Sequence, residues 1–164
     1  MHHRDDAVRR EVTVGRGTEA AFEAFTRELG AWWPGAYTFS GEAFATAEIE
    51  PRAGGRWYER DANGSELAWG EVRAWEPPAR LVLSWRVAAD RTQEPPERAS
   101  EVEVRFLAEE EGRTRVVLTH RDVVRHGDGA ETMRTGMASE QGWRLLLDRF
   151  AAYLHDGTPP AHPG

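Results

Sequence analysis

The stretch Arg80-Leu81-Val82-Leu83-Ser84-Trp85-Arg86-Val87 decides the fold, because a large apolar side chain stands at every second position. The same period of two returns in residues 101–106 and in residues 114–121. This period is typical of strands that bury one face of an antiparallel sheet. The predicted inward row comprises Leu81, Leu83, Trp85, Val87, Val102, Val104, Phe106, Val116, Leu118 and His120.

A helix is predicted to cover this buried face. The apolar residues Trp143, Leu146, Leu147, Phe150 and Leu154 follow helical spacing and form one broad apolar face. A single helix laid on a large curved sheet often leaves a space beneath it, and such a space can serve as a ligand pocket. The shape therefore indicates binding before any catalytic motif is considered.

The first half of the chain supplies four more strands. Residues 8–14 form the first strand, and apolar residues at helical spacing in 18–29 predict a helix that Gly30 ends. Asn63-Gly64 favours a type I′ hairpin turn. The predicted class is α+β, a helix-grip fold in which a seven-stranded curved antiparallel sheet grips a long C-terminal helix. One or two short helices follow the first strand.

Length and composition limit the possible functions. The 164 residues suggest one domain, residues 8–155, between flexible tails at 1–7 and 156–164. The chain has no cysteine, and all 21 basic residues are arginine, which excludes disulfides, thiolate chemistry and lysine catalysis. The net charge of −7 and the scattered arginines argue against a nucleic-acid surface.

The sequence also indicates where the protein works. No apolar run approaches the roughly 20 residues that span a bilayer. The polar start lacks the apolar core of a signal peptide, so a cytoplasmic location is expected. No cofactor is predicted.

An ordered series of motifs resembles a known superfamily. The series begins with residues 21–25 and Trp32-Trp33-Pro34 and runs over residues 8 to 155. Its further motifs are Glu50-Pro51-Arg52-Ala53-Gly54-Gly55-Arg56-Trp57, Trp69-Gly70-Glu71-Val72, Glu76-Pro77-Pro78-Ala79-Arg80-Leu81, Ser84-Trp85, Thr119-His120-Arg121 and Gly142-Trp143. The whole series is similar to the START and birch-pollen-allergen superfamily, often written SRPBCC, in the branch named after the activator of the ninety-kilodalton heat-shock protein ATPase.

The resemblance implies a cavity between the sheet and the terminal helix that holds apolar or amphipathic small molecules. The superfamily includes lipid carriers, hormone receptors, polyketide cyclases and self-sacrificing resistance proteins. No catalytic set is common to the branch, so no catalytic residue is carried over from it.

His120 and Glu59 are the candidate acid–base residues. His120 continues the inward row of its strand, where it either exchanges protons or fixes the strand end by hydrogen bonds. Glu59 shares a strand face with Trp57, and on the inner face it is a buried acid. His120, Asp122, His126 and Asp128 match no metal-ligand signature, so no metal site is predicted.

Aromatic and apolar residues form the candidate binding site. Six of the seven tryptophans either line a cavity or fill the core, and Trp32-Trp33 lies at the expected pocket entrance. Met133 and Met137 flank the same opening and adapt to varied ligands. The full predicted ligand-binding set is Trp32, Trp33, Trp57, Trp69, Leu83, Trp85, Val104, Phe106, Leu118, His120, Met133, Met137 and Trp143.

Three functions follow from these observations. The leading hypothesis is a non-catalytic or weakly catalytic binding protein for a small hydrophobic or aromatic molecule. The second is a cyclase or hydrolase that uses His120 and Glu59. The third is a co-chaperone-like interaction module, which predicts an exposed apolar patch and which the acidic composition does not favour. A homodimer is compatible with all three.

Overall fold

The computed structural model describes residues 7–34, 41–87, 95–110, 112–139 and 142–156. The strands are β1 Val8–Val14, β2 Phe44–Ile49, β3 Arg56–Asp61, β4 Glu66–Glu76, β5 Arg80–Trp85, β6 Ser100–Ala108 and β7 Thr114–Arg121. The helices are α1 Thr18–Thr26, α2 Leu29–Trp32, α3 Ala130–Ala138 and α4 Trp143–Asp156. Short 3₁₀ segments occupy Gly41–Ala43, Pro96–Arg98 and Val123–Gly129.

The seven strands form one antiparallel sheet in the order β1-β7-β6-β5-β4-β3-β2. Successive hairpins connect β2 to β7, and β1 pairs with β7 at the far edge, where Val8 lies opposite His120. The predicted α+β helix-grip fold is therefore confirmed. In the part of the chain that the structure describes, no helix is long and apolar enough to cross a membrane.

Helix α4 covers the inner face of the sheet. Its residues Trp143, Leu146, Leu147 and Phe150 are buried in the same core as the inward rows of β5, β6 and β7. Each large apolar side chain buried in this way contributes about 2–3 kcal/mol relative to exposure in water. The periodicity of the sequence thus identified the covering face of the helix correctly.

Two local predictions differ from the structure. Gly30 does not end a helix, because α1 ends at Thr26 and α2 then runs through Gly30. The turn after β3 spans four residues, not two, because the Asp61 carboxylate accepts hydrogen bonds from the backbone of Asn63 and Ser65. Such an aspartate-centred turn needs a positive φ only at Gly64 (φ +88°).

The register of β3 places Glu59 inside. Trp57 and Glu59 are both buried, whereas the intervening Tyr58 faces the other side under the guanidinium of Arg56, 4.2 Å from its ring centre. The pairing register of β3 with β4 shifts between Trp57 and Tyr58. Glu59 therefore lies on the inner face with Trp57, which is the arrangement in which it is a buried acid.

Gly70 allows a tryptophan to cross a strand. It lies on β4 opposite Trp57, whose indole nitrogen passes over it and donates to the backbone carbonyl of Ser84 on β5, at 2.7 Å. A Cβ atom at position 70 would lie 1.9 Å from that carbonyl oxygen and 2.6 Å from the indole nitrogen. A side chain at this position is therefore incompatible with the observed packing.

We expect Gly70→Ala to lower the free energy of unfolding by about 3 kcal/mol, because the added methyl group must displace backbone or the Trp57 ring. The matched control is Gly136→Ala on α3, where nothing lies within 4 Å of a new Cβ atom. That control should raise stability by up to about 1 kcal/mol. Urea unfolding of the three proteins measures both effects, and equal stabilities would contradict the packing described here.

Candidate functional site

Five tryptophans meet beneath helix α4, and we call them the tryptophan cluster. Trp33 follows α2, and its ring centre lies 4.9 Å from that of Trp69, 6.1 Å from that of Trp143 and 6.3 Å from that of Trp57. It also lies 5.7 Å from the ring centre of Trp32, which is not counted in the cluster. Trp85 closes the group, because its ring centre lies 5.5 Å from both Trp57 and Trp143. The members of the cluster are Trp33, Trp57, Trp69, Trp85 and Trp143.

The cluster joins both layers of the fold. Three of its rings come from neighbouring strands of the sheet, one comes from α4, and Trp33 comes from the segment after α2. The exposed fraction of each side chain is 5% or less. Trp33 was expected at a pocket entrance, but the structure places it in the centre of the core.

Most of these indole groups donate to a fixed acceptor. Trp57 donates to the carbonyl of Ser84 at 2.7 Å and Trp85 to that of Val87 at 2.9 Å. Trp69 donates to Glu59 Oε1 at 2.6 Å, and Trp143 donates to His120 Nδ1 at 3.0 Å. Buried polar groups normally find such partners, so these bonds hold four of the rings in position.

Trp33 differs from the other members. Its side chain is 4% exposed, yet its Nε1 atom has no hydrogen-bond partner among the residues that the structure describes. An unsatisfied buried donor costs about 1–3 kcal/mol. The centre of the cluster therefore presents an unused hydrogen-bond donor.

His120 belongs to a directional chain of hydrogen bonds. An indole N–H can only donate, so Nδ1 of His120 is the unprotonated nitrogen and the ring proton is on Nε2. That Nε2 lies 2.7 Å from Ser100 Oγ, which it reaches as donor. The hydroxyl group of Ser100 lies 2.8 Å from Nε2 of His126 and donates to it.

These hydrogen bonds match the interpretation in which His120 fixes the strand end. Both of its ring nitrogens are engaged, one with helix α4 and one with β6, so His120 fixes the strand end to its surroundings. Complete burial, with a smaller effect from neighbouring His126, lowers the pKa of His120 to about 3. The imidazole is therefore neutral at physiological pH.

The two candidate acid–base residues lie at different ends of the cluster. Glu59 is fully buried and binds Trp69, whereas His120 binds Trp143. Trp33 lies between Trp69 and Trp143 in the chain of ring contacts. Tryptophan rings thus separate the carboxylate from the imidazole.

The remaining predicted residues divide between two regions. Leu83, Val104 and Leu118 are buried in the inward rows of their strands, and Met133 is buried on α3 with Met137 half-buried beside the core. Trp32 and Phe106 pack on Phe25 of α1. Those two residues therefore lie on the α1 side of the core.

Two surface grooves lie away from the tryptophan cluster. One of about 440 Å³ lies between β1 and α4, and one of about 330 Å³ lies between α1 and the β4–β5 turn. Their linings include none of the predicted binding residues. Among the described residues, no group of three or more His, Asp or Glu side chains is arranged to hold a metal ion.

Comparison with known proteins identifies the family. The model for activator of Hsp90 ATPase homolog 1-like proteins matches residues 18–155, which is most of the chain. The chain belongs to this family. No curated protein matches it.

Solved structures resemble this member of the activator of Hsp90 ATPase homolog 1-like family over most of its length. The anthrahydroquino-γ-pyrone synthase Txn09 is 39% identical, with a TM-score of 0.64 over 88% of this chain and 94% of the synthase. The self-sacrificing resistance protein CalC from Micromonospora echinospora is 28% identical, with a TM-score of 0.63 over 95% and 98%. Protein SSP2350 from Staphylococcus saprophyticus is 19% identical, with a TM-score of 0.66 over 96% and 97%, and shows the shared fold.

Sequence reasoning missed two polar residues of the site in this family member. Ser100 continues the inward row of Val102 and Val104 by one step, so the alternation could have identified it. His126 lies in a 3₁₀ segment without a periodic pattern, and it is buried in hydrogen-bond contact with Ser100. Only the three-dimensional packing reveals that contact.

We expect the buried His120 to make stability depend on pH. In the unfolded chain its pKa is about 6.5, so below that pH the unfolded state binds a proton that the folded state excludes down to about 3. The free energy of unfolding should therefore fall as pH falls through this window, by about 1 kcal/mol per pH unit from this residue.

Urea unfolding between pH 5 and pH 6.5, above the range where carboxylates titrate, measures this slope. The His120→Gln variant should be less stable at pH 7.5, and its stability should change less between pH 6.5 and pH 5. Identical slopes in the two proteins would show that His120 is not buried in the neutral form.

Proposed function

We propose that this protein binds a small, flat aromatic molecule between the sheet and α4, with no catalysis or only weak catalysis. The observation that carries the proposal is the tryptophan cluster, whose rings come from the sheet, from α4 and from the segment after α2. Tryptophan rings offer large apolar faces, and aromatic partners stack on them or meet them edge to face. A ligand among these rings would contact both layers of the fold at once.

The composition of the core supports an aromatic ligand over an aliphatic one. Aliphatic side chains alone can join a helix to a sheet, and this core also contains such side chains, for example Leu147 of α4 and Leu118 of β7. Each buried tryptophan adds a polar N–H group that needs a hydrogen-bond acceptor, a requirement that an aliphatic core does not have. Recognition of an aromatic ligand would explain why this core nevertheless contains five clustered tryptophans.

The name of one relative supports the same ligand class. Txn09, at 39% identity, is by name a synthase of an anthrahydroquinone-fused γ-pyrone, and CalC is a self-sacrificing resistance protein. Both extend over almost the whole of this chain. A fused aromatic ligand for this protein is consistent with the first of these names.

The surface gives less support to a protein-interaction module. Among the described residues, Leu67 is the exposed large hydrophobic side chain, with an exposed fraction of 36%. A docking patch requires several such residues in one contiguous area. The buried aromatic interior is therefore the better basis for a function than the outer surface.

We expect the protein to bind an anthraquinone more tightly than palmitate, because ring stacking is available only to the aromatic ligand. Native mass spectrometry measures the stoichiometry, and quenching of tryptophan fluorescence measures the affinity. Bovine serum albumin, which takes up both ligands, serves as a control for ligand quality. Equal affinity for the two ligands, or uptake of neither, would contradict the proposal.

A second candidate function is cyclisation of such a ligand, which the 39% identity with the pyrone synthase favours. In this reaction an aryl hydroxyl group adds to the distal carbonyl of a neighbouring 1,3-diketone side chain. Loss of one water then gives the γ-pyrone. Glu59 is the buried carboxylate bonded to the cluster, whereas both nitrogens of His120 are engaged, so Glu59 is the base in this candidate.

We expect an enzyme of this kind to convert an o-hydroxyaryl 1,3-diketone into a product lighter by one water, detected by liquid chromatography with mass spectrometry. Glu59→Gln keeps an acceptor for Trp69 but removes the base, and should slow conversion by about 100-fold. Binding of the diketone without conversion would leave the protein a binding protein and remove this second candidate.

A further inference from the structure

The indole N–H of Trp33 is the exception among the buried tryptophans. Six tryptophans are buried, and five of them donate to a protein acceptor at 2.6–3.1 Å. Trp33 Nε1 has no such acceptor among the described residues. Its ring contacts three other members of the cluster, Trp57, Trp69 and Trp143, so the unused donor lies among converging rings.

The position of this donor is well determined by the surrounding structure. The carbonyl of Trp32 accepts from Arg149 Nε of α4 at 2.8 Å, and the Trp32 indole donates to the carbonyl of Ala24 at 3.1 Å. The backbone N–H of Trp33 donates to the carbonyl of Leu29 at 3.1 Å. The backbone on the N-terminal side of Trp33 is thus anchored, and its ring is packed against those of Trp57, Trp69 and Trp143. A donor held in this way is preorganised for a ligand.

The two side-chain acceptors bound to ring neighbours of Trp33 already serve other donors. Its neighbours Trp69 and Trp143 use Glu59 Oε1 and His120 Nδ1. A ligand atom that accepts a hydrogen bond from Trp33 Nε1 would therefore give this indole N–H a partner without displacing the hydrogen bond of another tryptophan.

Charge limits what that ligand atom can be. The Trp33 side chain is 4% exposed, and its ring centre lies 4.9 Å from that of the buried Trp69. An anion brought into such a site loses its hydration, which is unfavourable unless a positive charge is paired with it. Burial keeps His120, at the other end of the cluster, neutral, so it supplies no compensating positive charge. A neutral carbonyl oxygen meets these conditions, whereas a carboxylate or a phosphate does not.

We propose that Trp33 Nε1 donates a hydrogen bond to a carbonyl oxygen of an aromatic ketone or quinone held in the tryptophan cluster. This inference rests on the proposed binding function and adds the chemical class of the ligand. A hydrocarbon of the same shape leaves the donor unsatisfied and binds more weakly. Trp33 is thus the residue that distinguishes oxygenated aromatic ligands from plain ones.

The test removes the N–H group and keeps the ring. Position 33 of the full chain is replaced by 3-benzothienylalanine, in which sulfur stands where the indole has N–H. The probes are 9,10-anthraquinone and anthracene, which share one ring system and differ in the two carbonyl groups. The same replacement at Trp75, which packs on Phe22 at 5.1 Å outside the cluster, controls for the unnatural residue.

The unaltered protein should bind anthraquinone about tenfold more tightly than anthracene, the effect of one well-formed hydrogen bond in a buried site. The replacement at position 33 should abolish that preference and leave the affinity for anthracene unchanged. The carbonyl stretching frequency of bound anthraquinone should be lowered in the unaltered protein and in the Trp75 control, but not in the position-33 protein. Without ligand, the position-33 protein should melt no lower than the unaltered one, because no protein acceptor loses its donor.

Other results would overturn the inference in distinguishable ways. Equal binding of both probes by the unaltered protein, or a quinone preference that survives the replacement, would contradict the role of Trp33 and leave aromatic binding intact. Failure to bind either probe would overturn the proposed function and this inference together. A lower melting temperature of the ligand-free position-33 protein would show that the N–H group already has a partner within the protein.

Discussion

The indole N–H groups beneath helix α4 each need an acceptor, and the site depends on how that requirement is met. Burying a tryptophan ring is favourable for its carbon atoms, but a buried N–H without a partner offsets about 1–3 kcal/mol of that gain. The fold meets this demand with backbone carbonyls for Trp57 and Trp85, and with the side chains of Glu59 and His120 for Trp69 and Trp143. The buried carboxylate and the buried imidazole are thereby explained as acceptors.

This constraint accounts for several other residues. Gly70 lacks a side chain because the Trp57 indole must cross β4 to reach β5. His120 must present Nδ1 to Trp143, so its proton lies on Nε2 and requires Ser100 as partner. Ser100 in turn orders His126. A single tryptophan on α4 thus connects the helix to two strands and to the segment before α3.

Much of the fold follows from residue patterns. Strands β5, β6 and β7 alternate with a period of two, and α4 repeats its apolar residues at helical spacing, because one side of each element faces the core. The length of the turn after β3 did not follow from Asn63-Gly64, because the side chain of Asp61 organises that loop. Local patterns report which face is buried, but not which side chain accepts a given hydrogen bond.

The membership of the site was predictable only in part. Alternation placed Trp85 and His120 in the interior and placed Glu59 on the same strand face as Trp57. It did not place Trp33 in the core, and it did not identify Ser100 and His126. The division of roles among them depends on contacts between distant elements, such as Trp33 after α2 with Trp143 on α4. Through those contacts His120 connects β7 to its neighbours, Glu59 accepts a hydrogen bond from a cluster tryptophan, and Trp33 holds an unused donor among the rings.

The central claim is that the unused donor of Trp33 serves a ligand, and indole N–H signals in nitrogen-15 NMR spectra test it most directly. The chain has seven tryptophans, and the Trp33→Phe variant identifies the signal of Trp33 by its loss. Titration with 9,10-anthraquinone should move the Trp33 indole proton downfield and slow its exchange with water. The signals of Trp143 and Trp69, which already have acceptors, should move less. A Trp33 signal that stays in place while the quinone binds, or a protein that binds no quinone, would contradict the account.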